Sequence, residues 1–355
     1  MPFMDEKDVQ RDPYISVVIT AHNRKEFLKE AINSVINQTL DKDFYEITVV
    51  KNFDDQEVDN LIGKNKIINL KSRDDSLIGV DLALGIEKAR GEVISFLDDD
   101  DLFIPEKLEI VYNFFKKYKN LAYLHNNDYF IDGKDNPAKF WVKDINKDII
   151  LDHFKDLNEL LNLQGYGPYF NMSSINIRKN KILPYLGYLN KINLNQDDFM
   201  FFISTLEDPR LIILSKEKLT KYRIHQSTSN LLNEDINKFL NDNIKSGKNS
   251  LYTHTVMMSL VEKNKIYGLF FKYIIILDKI KLHLLKYTNE IKLNEFLFYL
   301  YIVLKIKDLH SKEGYVYYIA LFIFSKISFT REIKFYTRRL FKYNQKLIHT
   351  YLKAE

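Results

Sequence analysis

Between residues 15 and 125 the chain alternates short β-branched runs with stretches of helical spacing, and this alternation restricts the fold most. Ile15 to Ala21 (ISVVITA) is a short apolar run bounded by polar residues, which reads as a buried strand. Arg24 to Ile36 follows, with Phe27, Leu28, Ala31, Ile32, Val35 and Ile36 at helical spacing. Tyr45 to Val50 and Ile67 to Leu70 read as strands, Ile78 to Ala89 as a helix, and Val93 to Leu97 as a fourth strand. Leu108 to Tyr118 reads as a helix and Leu121 to His125 as a further strand. Strands separated by helices of this length imply parallel βαβ units with helices on both sheet faces. Such sheets bind ligands at the carboxyl ends of their strands, so the informative residues are expected just after each one.

From Asp128 the pattern loosens into loops, a helix at Phe199 to Leu206 and a closing strand at Lys218 to His225. Asn233 to Ser250 is rich in Asn, Asp and Lys, and only helical patterns follow it. The predicted organisation is an α/β domain over 1–232, a polar connector over 233–250 and an all-α region over 251–355. Charge divides the same way: residues 260–355 hold 15 Lys and 3 Arg against 8 acidic residues, a net +10, whereas the remainder carries −6. The absence of Cys excludes disulfides, Cys-ligated zinc, iron–sulfur clusters and thiol catalysis. The acidic opening MPFMDEKDVQRD has no secretory signal pattern, so a cytoplasmic location is expected, on the cytoplasmic face of a membrane if the tail docks there.

Glu92 to Asp101 (EVISFLDDDD) runs a strand straight into four carboxylates. Helix capping accounts for one Asp at most, because Pro105 marks the next helix start several residues later. Clustered like charges need positive compensation. Hard divalent cations favour carboxylate oxygens and keep other positions for water or phosphate. The run therefore reads as a site where Mg²⁺ or Mn²⁺ meets a phosphorylated ligand.

Five blocks occur in order: ISVVITAHNR (15–24), SVINQTL (34–40), GIEKARGEVISFLDDDD (85–101), NQDDFMFF (195–202) and YRIHQSTSN (222–230). Over about residues 13–230 the chain thereby resembles the family 2 glycosyltransferases of the GT-A fold. The resemblance implies a mostly parallel Rossmann-like sheet, a nucleotide-diphosphate sugar donor and a divalent cation. It implies that Thr20, Ala21, His22, Asn23 and Arg24 hold the nucleotide, that Asp98 and Asp99 face ribose or sugar, and that Asp100 binds metal with Asp101 as an outer helper. Two departures stand out. Lys51 and Asn52 occupy the place of an acidic base-reading residue, for which Asp54 is the candidate substitute. Leu82 and Ala83 replace an expected Arg-Asn, and Arg73 is the candidate source of the missing charge.

Asp197 and Asp198 precede an apolar helix, where acidic residues also serve the macrodipole. The resemblance makes Asp198 the catalytic base and Asp197 its orienting neighbour, and it places His225 at the metal and diphosphate. Ser173 and Ser174 suit either donor sugar or backbone. His125 and His153 read as structural.

In the tail, Lys265, Lys272, Lys279 and Lys286 recur every seven residues and lie within roughly 60° on a helix, beside a wide apolar arc. Arg331, Lys334, Arg338, Lys342 and Lys346 form a second basic face. The longest uncharged run nearby, Gly314 to Ser325, falls short of the ~20 residues that span a bilayer. These features suit a solvated bundle or docking on an anionic membrane surface; the acidic body disfavours nucleic acid. The expected function is metal-dependent, inverting glycosyl transfer to a glycan or lipid-linked acceptor. The alternatives are nucleotidyl transfer on a similar sheet, and a non-catalytic adaptor supported by the altered Lys51–Asn52 and Leu82–Ala83 positions.

Overall fold

The computed structural model describes residues 12–138, 142–208, 210–224, 235–285 and 291–305, together with 319, 323, 338–340 and 342. In chain order the first half contains β1 (Ile15–Ala21), α1 (Leu28–Ile36), β2 (Tyr45–Lys51), α2 (Gln56–Lys64), β3 (Ile68–Lys71), α3 (Ile78–Lys88), β4 (Val93–Asp98), β5 (Leu102–Phe103), α4 (Lys107–Lys117) and β6 (Leu121–Asp132). There follow β7 (Ile149–Leu151), α5 (Leu157–Leu163), β8 (Ile175–Arg178), α6 (Lys179–Ile182), α7 (Leu186–Leu189), α8 (Gln196–Ser204) and β9 (Leu211–Ile224). Three helices close the described chain: α9 (Ile236–Val261), α10 (Lys265–Leu284) and α11 (Leu293–Lys305).

The strands form one sheet in the order β3-β2-β1-β4-β8-β6-β9-β5, with β7 also paired to β9. The sheet is mixed. β3, β2, β1 and β4 are parallel, β8 runs antiparallel between β4 and β6, and β9 runs parallel to β6. The chain leaves β1 to both sides, towards β2 and towards β4, which is the switch point where an α/β sheet opens a crevice. Register places Thr20 beside both Val50 and Asp98, so the residues after β1, β2 and β4 share one rim.

Alternation builds the two faces. Ile15, Val17 and Ile19 of β1 pack with α1, α2 and α4, whereas Val18 packs with Leu82, Ala83 and Ile86 of α3 on the other face. That second face also takes α8, whose Phe199, Met200, Phe201 and Phe202 are all buried. A chain of edge-to-face rings links the sheet to the tail: Tyr123 to Phe201 at 5.0 Å, Phe201 to Phe202 at 4.9 Å, and Phe202 to Phe271 at 4.6 Å.

The tail is therefore part of the same core. Residues 233–250, expected as a polar connector, are from Ile236 onward the first turns of the 26-residue α9. Their polar character reflects the helix's exposed sides, and Asp235 caps its start by accepting from the Lys238 amide. Ser250 and Thr253 of α9 bond the Asn195 side chain and the Leu194 carbonyl, each at 3.0 Å. The apolar arc of α10 (Phe270, Tyr273, Ile276, Leu277, Ile280, Leu284) is buried in the shared core. Of the lysine stripe, Lys279 pairs with Glu295 at 2.5 Å and Lys272 lies over the Phe298 ring at 4.3 Å. Lys286 and most of the second basic face lie outside the described residues. Among the described residues no helix is long and apolar enough to cross a membrane.

Burying one large apolar side chain is worth ~1.5–3 kcal/mol, so the α10 arc alone rivals the ~5–15 kcal/mol stability of a whole domain. Truncation after residue 232 should consequently yield insoluble or molten protein. The full chain should unfold in urea with coincident far- and near-ultraviolet dichroism transitions; a soluble, cooperatively folded 1–232 fragment would show that the two parts are independent.

Candidate active site

Strand β4 ends at Asp98 and delivers the run of four carboxylates to the rim. Carboxylate oxygens of Asp98, Asp100 and Asp101 lie within 4.8 Å of one another. Asp99 points instead to the loop after β1, where Arg24 Nε donates to its Oδ1 at 3.1 Å and Arg24 Nη2 lies 2.7 Å from Asp100 Oδ2. Burial works against the Arg24 charge, yet the bond to Asp99 and the nearby Asp100 and Asp98 hold its pKa above the ordinary value. Burial, and then Asp100 and Asp99, push Asp98 up to about 7. Asp101 is raised well above the usual carboxylate range by burial and by Asp100 and Asp98. Its Oδ2 is buried with no hydrogen-bond partner among the described residues. Three convergent hard oxygens, one lacking a donor, fit a divalent cation, and Asp101 belongs to this cluster as directly as Asp98 and Asp100 do.

Two buried cations brace the cluster from behind. Arg223 of β9, 1% exposed, donates its amide to Asp101 Oδ1 and its Nε to the Asp100 carbonyl, both at 2.9 Å. Its two terminal nitrogens reach Asp135 at 2.7 Å and Glu30 at 2.9 Å, and its guanidinium lies 4.3 Å from the Phe27 ring centre. Lys107, fully buried at the start of α4, donates to the Ser173 carbonyl and to Thr220 Oγ1. Burial pushes Lys107 down to about 7, against the pull of Asp128 and Asp101. Ser173 accepts from the Asp98 amide at 2.9 Å, and Ser174 donates to Asp128 at 2.5 Å, so these serines bond the scaffold.

The nucleotide loop is locked by two asparagines. Asn23 adopts φ 57°, a left-handed turn that Asn tolerates. Its amide donates to Asn52 Oδ1, and Asn52 Nδ2 donates back to Asn23 Oδ1, each at 2.8 Å. His22 Nδ1 stands 3.4 Å from buried Asp81. Thr20 and Ala21 end β1 at the rim. Lys51 is buried against Asp59 at 2.9 Å and the Phe53 carbonyl at 2.6 Å. The Lys51–Asn52 departure thus has a structural use here: it fastens the loops after β1 and β2. Asp54 and Arg73 do not join the site. Asp54 is exposed and ion-paired with Lys71 at 2.8 Å, a bond that lowers its pKa, and Arg73 is exposed beside Asp75 at 3.5 Å.

Asp197 and Asp198 occupy the first turn of α8, after Asn195 in a left-handed conformation. Asp197 Oδ1 accepts from the Asp198 amide at 3.0 Å. Burial and the adjacent Asp198 raise Asp197 well above the usual range, and the charge of Asp98 adds to this. The second carboxylate pair thus feels the charge of the first. Asp198 Oδ2 accepts from Asn195 Nδ2 at 3.0 Å and lies 3.3 Å from His254 Nε2 of α9. His125 is buried on the Phe170 carbonyl and His153 is exposed beside Asp152, neither at the cleft. His225 lies outside the described residues. The sequence reading missed Arg223, Lys107 and His254. Only Arg223 carried a signal, its inward place in the alternation of YRI.

Comparison with known proteins matches residues 16–175 to the model of glycosyl transferase family 2. An uncharacterized glycosyltransferase of Methanocaldococcus jannaschii is 29% identical over 224 residues, 60% of this chain and 71% of that protein. The poly(ribitol-phosphate) β-N-acetylglucosaminyltransferase TarP of Staphylococcus aureus is 31% identical over 125 residues, 34% of this chain and 38% of that one. Among solved structures, S. aureus TarS 1-349 in complex with UDP-GlcNAc aligns with 88% of this chain and 91% of its own at a TM-score of 0.50 and 14% identity, a likeness of fold.

Replacing Arg223 with Met should destabilise the protein by roughly 3 kcal/mol, the lower end for breaking a buried ion pair, because Glu30 and Asp135 are half exposed. The urea midpoint should fall accordingly. A shift under about 0.5 kcal/mol, the size of an ordinary surface substitution, would show that Arg223 does not brace the cluster.

Proposed function

We propose that this chain, whose residues 16–175 match glycosyl transferase family 2, moves a sugar, with inversion, from a nucleotide-diphosphate donor to a hydroxyl of a glycan or lipid-linked acceptor, and that it uses Mn²⁺ or Mg²⁺. The observation that carries this reading is the cluster of Asp98, Asp100 and Asp101 oxygens at the end of β4 beside Arg24, with the Asp197–Asp198 pair of α8 within its electrostatic reach. A cation held by Asp98, Asp100 and Asp101 would offset the charge of the departing diphosphate. Arg24 already spans Asp99 and Asp100 and suits a diphosphate oxygen by the same fork geometry. Thr20, Ala21, His22, Asn23 and Asn52 face base and ribose, and His225 is assigned to the diphosphate. Asp198 accepts the proton of the acceptor hydroxyl as that oxygen attacks the anomeric carbon opposite the leaving group.

The name of TarP makes an N-acetylglucosaminyl donor the first to try and poly(ribitol-phosphate) the first acceptor, and the TarS complex suggests UDP-GlcNAc as the form of that donor. Calorimetry with a nucleotide panel, with and without Mn²⁺, should find one nucleoside diphosphate bound only with metal. Asp100→Asn should abolish that binding and turnover with the fold intact; full activity of the variant after chelation and Mn²⁺ resupply would refute the metal assignment. Asp198→Asn should leave donor affinity nearly unchanged and slow transfer by ~10²–10⁴. Equal losses in donor binding and rate would make Asp198 a donor contact instead.

Contact with an anionic membrane surface is the proposed use of the tail's exposed basic groups, among them Lys265 and Lys272 of α10. Anionic liposomes should retain the protein at low salt and release it near 1 M, where the Debye length falls to ~3 Å. No retention at low salt would leave these lysines as a solvated face.

A further inference from the structure

The tail sends a histidine into the segment that carries Asp198. His254 of α9 lies between carboxylates from two other helices, with Nε2 3.3 Å from Asp198 Oδ2 of α8 and Nδ1 2.6 Å from Asp278 Oδ2 of α10. All three side chains are buried, at 8% exposure for Asp198, 6% for His254 and 5% for Asp278. The surroundings are Asn195, which donates to the same Asp198 oxygen, Asp197 next in sequence, and the Phe271 ring 6.0 Å from the imidazole. Among the described residues no Lys or Arg forms an ion pair with Asp198 or Asp278.

We propose that His254 and Asp278 form with Asp198 a carboxylate–histidine–carboxylate relay, by which the helical tail orients the catalytic base and offsets the negative charge gathered around it. This rests on the reading of Asp198 as the base. Two adjacent carboxylates buried at one helix start repel each other, and burial and Asp198 already raise Asp197 well above the usual range. A charged donor at Oδ2 offsets both burial and the Asp197 charge. Burial disfavours the imidazolium, but its bonds to Asp198 and Asp278 prevail and push the ring up to about 9. His254 is therefore a cation at neutral pH.

Both donors, His254 and Asn195, engage Oδ2, which leaves Oδ1 to face the acceptor. In the transfer, the acceptor O–H proton passes to Oδ1 while the new C–O bond forms. The anomeric bond to the diphosphate breaks with its electron pair leaving on the diphosphate, and the imidazolium keeps both its protons. His254 and Asp278 touch the base and not the substrate, so they are positioning residues.

The test uses the full chain with His254→Gln, which retains a neutral donor, and Asp278→Asn. His254→Gln should lower kcat about 10- to 100-fold with donor KM within about twofold, since a charged hydrogen bond to the base is lost. The acidic limb of its kcat–pH profile should move to higher pH, because a carboxylate without its cation binds a proton more tightly. Asp278→Asn should bring the His254 titration down towards its ordinary value, so its deficit should grow as pH rises past 7. NMR of the ring reads the relay without turnover: His254 should titrate above pH 8, and lower by a unit or more in both Asp198→Asn and Asp278→Asn. If His254→Gln does not fold, Asp278→Asn and the ring titration decide. A kcat–pH profile matching wild type, or a ring indifferent to Asp198→Asn, overturns the relay. Full transfer by Asp198→Asn overturns the base reading itself, a result separate from an inactive Asp198→Asn beside an unshifted His254→Gln profile.

Discussion

Carboxylates packed at the end of β4 repel one another, and their compensation organises the cleft. Arg24 arrives from the loop after β1, Arg223 from the end of β9 and Lys107 from the start of α4. Arg24 and Arg223 bond the aspartate run directly, and Lys107 acts on it from a distance while bonding Ser173 and Thr220. The antiparallel half of the sheet is thereby fastened to the parallel half at the place where chemistry is to occur. Arg223 alone joins β9, the aspartate run, α1 through Glu30 and the turn at Asp135. A guanidinium serves this better than an ammonium, because its rigid fork meets several oxygens at once.

The helical tail belongs to the same scheme. Its aromatic contacts with α8 bury the helix that carries the second carboxylate pair; Ser250 and Thr253 hold the loop before it, and His254 meets Asp198 in its first turn. The GT-A body and the tail helices thus share one hydrophobic core around α8. The apolar arc of α10 is spent on that packing, so any surface role of the tail falls to its exposed cations.

Much of this was legible in advance. The strands near residues 15, 45, 68, 93 and 121 follow from apolar runs, and α1, α3 and α4 from helical spacing. The aspartate run and the Asp197–Asp198 pair stood out because like charges in a row demand an explanation. The misses have physical causes. The short α2 shows just two buried positions, Val58 and Ile62, too few for a periodic signal. The first turns of α9 are polar because they are solvated, and polarity reads as a linker. Asp54 and Arg73 carried the right charges in nearby loops, but loop direction sent them to Lys71 and Asp75.

By itself the sequence determined the βαβ order, the strand ends at which ligands gather, and the residue types able to hold a cation and take a proton. These follow from local periodicity and from the cost of neighbouring like charges, both written along the chain. Only the tertiary structure decided which charges meet. Asp98 and Asp197, Arg223 and Glu30, and His254 and Asp198 are each separated by dozens of residues or more, and no local propensity encodes their approach. Such pairings arise when packing removes water from around both groups, so that each must find the other.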